Sequence, residues 1–242
     1  MGKQRPWLAG LMAVIGITAL YRGRIRPWMY TWGAADEEVT AVLPGDELVP
    51  PGTPRTTRAL TIDAPRRTVW AWLAQIGEDR GGFYSYSWLE RIVGARIHNA
   101  NTIHQEWQDL NVGDSVWLAR RYGENARQVV AFVQQDSYLV LMAPRDFERM
   151  QRGETVSGMW GFYLRRRAGW TRLVVRGSGG AVGHAWFDAA HFVMEVGMMR
   201  GLRDRAERTS RYAFAHQLSL AGQERHGQED LPVTPIDSLV NS

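Results

Sequence analysis

The sequence predicts an α+β domain in which antiparallel strands wrap one long C-terminal helix, with a separate hydrophobic helix at the N-terminus. Three observations carry this. Stretches rich in β-branched and aromatic residues follow one another from Ser115 to Ser178, joined by turn-forming residues. Phe192, Val196, Met199, Leu202 and Ala206 recur at helical spacing. An uncharged run, PWLAGLMAVIGITALY, spans Pro6 to Tyr21.

The chain has 242 residues, ample for one domain with a sizeable core. Its formal net charge is +4, but the late arginines Arg200, Arg203, Arg205, Arg208 and Arg211 interleave with Asp204 and Glu207, as on a solvated helix face. No groove-reading motif accompanies them, so nucleic acid is not an expected partner. The absence of Cys excludes thiol catalysis, disulfides and thiolate-metal sites. The 11 Trp point to a large aromatic core or an aromatic-lined cavity.

Taken in order, residues 1–28 form the hydrophobic N-terminal segment. Lys3 and Arg5 precede the apolar run, and Arg22, Arg24 and Arg26 follow it. At about 1.5 Å per residue the run reaches roughly 24 Å, short of a hydrocarbon core of about 30 Å, a gap that snorkelling arginines and flanking Trp7, Tyr21 and Trp28 help to close. We read it as a single membrane-anchoring helix. A cleavable signal peptide lacks a clean small-x-small site here, and an interfacial or packed helix is the other alternative. Positive charge on both flanks leaves the side of the membrane open.

Residues 29–57 are rich in Pro, Gly and acids and read as an extended linker or arm. The domain proper spans 58–217. Ala59 to Ile62 alternate as a first strand, and Asp63-Ala64-Pro65 opens a helix. In RRTVWAWLAQIG, Val69, Trp72, Leu73 and Ile76 share one helix face, and Gly77 or the Gly81-Gly82 pair ends it. The next residues, DRGGFYSYSWLE, form a Gly-Gly corner, and the capping box from Ser87 to Glu90 starts a second short helix. IHNANTIHQEWQDLNVGDSV is irregular. Strands follow at SVWLARR, RQVVAFVQQ, SYLVLMAP, SGMWGFYLRRR and WTRLVVRGS, with a hairpin tip within Arg165 to Gly169. The final helix runs from about Ala189 to Gln217, and 218–242 form a disordered tail.

Several residues are candidates for chemistry. Tyr84, Tyr86 and Trp88 either sit at a cavity mouth or plug the core. His98, His104 and Glu106 do not have the spacing of HExxH, so no metal is expected, while His98 is a candidate for moving a proton in a pocket. His184 and His191 read as a helix cap or satisfied polar contacts. Met194, Met198 and Met199 suit a pliable apolar pocket, or plain core. Trp160, Phe162 and Leu164 share one face of a strand, opposite Met159, Gly161 and Tyr163. No Ser-His-Asp order, phosphate loop or dinucleotide fingerprint is present, and no cofactor is expected.

On the words TRALTIDAP, VWAWLAQIGEDRGGFYSYSWLE, IHNAN and VGDSVWL, in the order of elements above, the domain resembles the SRPBCC superfamily. That group holds START lipid-transfer domains and polyketide cyclase/dehydrase-like proteins, and the match is to a bacterial subgroup that often carries an N-terminal hydrophobic helix. The resemblance implies a helix-grip fold, a curved antiparallel sheet around the C-terminal helix, enclosing an apolar cavity for lipids, sterols or polyketides. The expected function is binding, transfer or sequestration of a hydrophobic small molecule near a membrane. The expected ligand-binding residues are Tyr84, Tyr86, Trp88, His98, Trp160, Met194 and Met198. The alternatives are a cyclase/dehydrase-type enzyme working through His98, Tyr84 or Tyr86, and a membrane-tethered protein-interaction module whose grip is solid.

Overall fold

The structure is a computed structural model and describes residues 6–85, 99–180 and 182–229. Helix α1 (Pro6–Leu20) continues through a π-helical turn at Tyr21–Ile25 into α2 (Arg26–Tyr30). After the short α3 (Asp36–Thr40) come β1 (Arg55–Ile62) and α4 (Arg66–Ala74). Then follow β2 (Ser115–Trp117), β3 (Arg127–Gln134), β4 (Tyr138–Met142), α5 (Pro144–Gln151), β5 (Gly158–Arg167), β6 (Trp170–Gly179) and α6 (Ala185–Glu229).

Among the described residues six strands form one antiparallel sheet in the order β1-β6-β5-β4-β3-β2. The β5–β6 hairpin is its longest ladder, in register from Gly158↔Gly179 to Arg167↔Trp170. Its tip is Ala168-Gly169, both at positive φ, the two-residue turn whose twist matches that of paired strands. Sheet, hairpin and long C-terminal helix make up the helix-grip architecture.

Strand alternation sorts the side chains as the sequence predicts. Phe162, Leu164, Leu173 and Val175 enter the core shared with α4 and α6, and Trp160 packs against it. Met159, Tyr163 and Val174 enter a second core on the opposite face, with Leu43 and Val49 from the arm. The stripe on α6 is buried, with Met199 and Ala206 fully covered.

The 29–57 stretch has little regular structure, yet it is fixed to the outer face of the sheet. Arg176 on β6, wholly buried, donates from Nη1 to Ala41 O at 2.7 Å and from Nη2 to Glu38 O at 2.7 Å and Val39 O at 3.0 Å, and pairs with Asp46. Arg172 grips the Glu38 carboxylate with Nε and Nη2 at 2.8 and 2.7 Å. This holds the Glu38 carboxyl below its ordinary pKa, against the opposing effect of burial. The arm shows no periodicity because arginine side chains, rather than a ladder, satisfy its carbonyls.

Several elements depart from the sequence reading: α3 lies within the expected arm, and β1 begins at Arg55 inside it. Helix α5 was not foreseen, although Pro144 at its first turn and Asp146 behind it are start signals. Helix α6 continues past Gln217 to Glu229, over residues expected to be disordered. Their low apolar content leaves nothing to pack, but an existing helix propagates at one hydrogen bond per residue.

The corner at Gly81-Gly82 meets α6 at Gly201, where an added Cβ would lie 1.9 Å from Tyr84 O. In a free helix interior Gly→Ala gains up to about 1 kcal/mol. Here Gly201→Ala is expected to cost roughly 1–3 kcal/mol by forcing the corner off the helix, read as a lower urea midpoint.

Candidate functional site

Between the sheet and the first half of α6 lies a cavity of about 540 Å³, within the range of small-molecule sites. Phe83, Leu118, Trp160, Phe187, Met194 and Met198 give it a mainly apolar wall. Gly158, Gly177, Gly179 and Gly180 also line it, and at Gly177 an added Cβ would come within 3.8 Å of the His191 ring.

The cavity contains a buried polar corner. His191 and Glu195, one turn apart on α6, both line it. Glu195 is fully buried and pairs with Arg58 of β1, also fully buried. The other Glu195 oxygen, Oε1, accepts Trp160 Nε1–H at 2.7 Å. Arg58 also donates from Nε to Met29 O at 2.7 Å and sets Nη1 at 3.3 Å from His191 Nδ1, while its Nη2 has no partner among the described residues. Phe187 stacks on the His191 ring, with centroids 5.2 Å apart and planes 12° apart.

These contacts set the charge states. Burial lowers the His191 pKa and Arg58 adds to this, while Glu195 opposes it, so the imidazole stands neutral at physiological pH. Burial would raise the Glu195 carboxyl, but the charges and hydrogen bonds around it prevail and hold it below its ordinary value. With Arg58 cationic, Glu195 anionic and His191 neutral, the corner sums to zero.

Of the residues expected at the site, Trp160, Met194 and Met198 line the cavity. Tyr84 does not. It lies in the core, 3% exposed, with its hydroxyl donating to Trp72 O at 2.9 Å and its ring edge-on to Trp72. Burial pushes its phenol far above the ordinary range, so it keeps its proton. The physical reason is the corner backbone: Tyr84 takes φ 57°, and its neighbours Phe83 and Ser85 reach the cavity instead. Tyr86, Trp88 and His98 lie outside the described residues. His104 sits on the surface with Glu106, Nδ1 to Oε1 3.1 Å, away from the cavity. Among the described residues no group of three or more His, Asp or Glu side chains converges as a metal site.

Sequence reasoning missed Arg58 and Glu195 and took His191 as a helix cap or a satisfied polar contact. The available signal was the i, i+4 spacing of His191 and Glu195 on the helix face that also carries Met194 and Met198.

The fold and site together define a helix-grip domain with an apolar cavity and a neutral, charge-paired polar corner. No family model matches the chain, and no curated protein is significantly similar to it. Solved structures show loose likeness. A protein from Mesorhizobium loti is 14% identical, with TM-score 0.39, over 64% of this chain and 98% of its own. One from Nitrosomonas europaea is 9% identical, with TM-score 0.42, over 64% and 96%. An AHSA1-like protein from Rhizobium etli is 18% identical, with TM-score 0.38, over 66% and 85%. Superpositions this loose carry no argument about function, and the fold is assigned on strand order and on α6.

Proposed function

We propose that the protein binds a hydrophobic small molecule, such as a lipid or polyketide-like compound, in this cavity while attached to a membrane through α1. The observation that carries the reading is an apolar cavity of about 540 Å³ ending on His191 and Glu195. Apolar burial at about 25 cal/mol per Å² supplies affinity, and the polar corner supplies orientation. The attachment is supported by α1 itself, apolar on all sides and exposed from Gly10 to Leu20. No helix among the described residues is long and apolar enough to cross a membrane.

The test is native mass spectrometry with organic extraction of the full chain held in amphipol. A stoichiometric apolar passenger is expected with the natural sequence, and its loss is expected in Met194→Trp, which fills the cavity. An empty natural protein that ignores a panel of lipids and polyketides would end this reading.

One observation favours a second, enzymatic reading of the cyclase or dehydrase type. His191 is a neutral imidazole in the cavity wall beside a carboxylate, a pair able to move a proton. In that case the extracted passenger would be a mixture of substrate and product, and His191→Phe would return substrate alone. The interaction-module reading needs a solid grip, and the cavity removes its support.

A further inference from the structure

The polar corner specifies what kind of ligand atom it can meet, an inference that rests on the hydrophobic-ligand reading above. A guanidinium only donates hydrogen bonds. Arg58 Nη1 lies 3.3 Å from His191 Nδ1, where a proton on Nδ1 would set donor against donor, so Nδ1 presents its lone pair. A neutral imidazole in that setting carries its proton on Nε2. The nearest carboxylate oxygen to Nε2 is Glu195 Oε1 at 3.4 Å, beyond the usual range of about 2.7–3.2 Å for an N–H···O bond. That oxygen already accepts Trp160 Nε1–H at 2.7 Å. The Nε2–H is therefore at most weakly engaged by Glu195, and it sits on a cavity-lining ring whose side chain is 20% exposed, open to a closer acceptor. Phe187 fixes the plane of that ring.

The surroundings exclude charged partners for it. A carboxylate would stand beside Glu195, whose own charge already takes up that of Arg58. An ammonium would set donor against donor. Ser178 Oγ, buried in the same wall with no partner among the described residues, both donates and accepts and so does not select.

We propose that His191 Nε2–H is the orienting donor for a neutral carbonyl oxygen, as in a ketone or ester, carried by an otherwise apolar ligand. His191 is then a specificity residue, and Arg58 acts through it as a positioning residue.

The experiment uses the full chain and three probes of equal length: a long-chain methyl ketone, the matching n-alkane and the matching fatty acid. Affinities are read from tryptophan fluorescence, and the His191 tautomer from long-range proton–nitrogen spectra. The spectrum is expected to show Nε2–H. The ketone is expected to bind about five- to tenfold more tightly than the alkane, as for one net hydrogen bond, with the fatty acid weaker than the ketone. His191→Phe should erase the ketone preference and leave alkane binding in place. His191→Gln, which can accept from Arg58 and still donate, should restore it and guards against a folding defect in the first variant. Equal binding of ketone and alkane, a preference that survives His191→Phe, tightest binding of the fatty acid, or an Nδ1–H spectrum would overturn the assignment while leaving hydrophobic binding intact. Failure of all three probes to bind would instead sink the hydrophobic-ligand reading on which this one rests.

Discussion

Glu195→Ala is expected to destabilise the fold by roughly 3–5 kcal/mol. The magnitude follows from what it leaves behind. Arg58 is fully buried in mid-strand, with one good neutral acceptor, Met29 O. Without Glu195 its charge has no counter-ion, and Trp160 Nε1–H loses its partner. The double variant Arg58→Met, Glu195→Met removes both charges and is expected to recover most of the loss, because an apolar pair of similar volume carries no desolvation cost. Urea denaturation checks both variants. A Glu195→Ala protein within 1 kcal/mol of the natural one, on the scale expected for exposed pairs, would show that the charge pair is not buried as described.

The same cluster makes stability depend on pH with a definite sign. His191 is depressed below its ordinary value of 6.5, so below that pH the unfolded chain takes up the proton more readily than the folded one. Its contribution is complete above about pH 6.5 and falls as pH drops. Glu195 is depressed below 4.5, so its contribution is complete above that value and is lost as pH falls through its folded pKa. Stability therefore declines on acidification from about pH 6.5, and His191→Phe should remove the upper part of that slope.

What could be read in the sequence was local. The faces of β5 followed from alternation of Trp160, Phe162 and Leu164 against Met159 and Tyr163, and the buried stripe of α6 followed from helical spacing. The hairpin tip followed from a glycine after a basic run. What stayed hidden was set by distant pairing. Arg58 and Arg176 read as ordinary strand cations, because nothing near them in the chain shows that Glu195 and the arm carbonyls will cover them. His191 and Glu195 look like a surface i, i+4 pair until the sheet is laid across them. The small residues of RGSGG line the cavity together with Met194 and Met198, but only the topology brings the two segments to one hollow. Tyr84 went astray at the corner, since a positive φ at a tyrosine is not visible in residue types.

Deleting residues 1–20 is expected to abolish the proposed membrane attachment. Leu11, Met12, Val14, Ile15, Ile17 and Leu20 are between 49% and 68% exposed, and they surround the helix rather than forming one stripe. Burying a large apolar side chain is worth about 1.5–3 kcal/mol from full exposure. At about 1 kcal/mol each for chains already half covered, the six together give roughly 6 kcal/mol, or about four powers of ten in partition. Arg22 and Arg24 follow directly and add roughly 1 kcal/mol each on an anionic surface. A helix with no polar face gains little by lying flat, so insertion end-on is expected, to a depth of about 22 Å. The embedded helix would stay tied to the cavity wall. Arg26 donates to Asp188 Oδ2 at 3.1 Å and to Gly183 O at 3.0 Å, Tyr30 donates to the same Asp188 oxygen at 2.7 Å, and Phe187 and His191 flank that residue in the wall. Ligand exchange would then occur beside the lipid surface. In flotation assays the full chain is expected to rise with phosphatidylcholine vesicles, and more completely when phosphatidylglycerol is added. The deletion variant and the pair Leu11→Asp, Ile15→Asp should stay at the bottom. A deletion variant that still floats would place the contact elsewhere. A full chain that stays down but dimerises through α1 would replace the bilayer with a second copy.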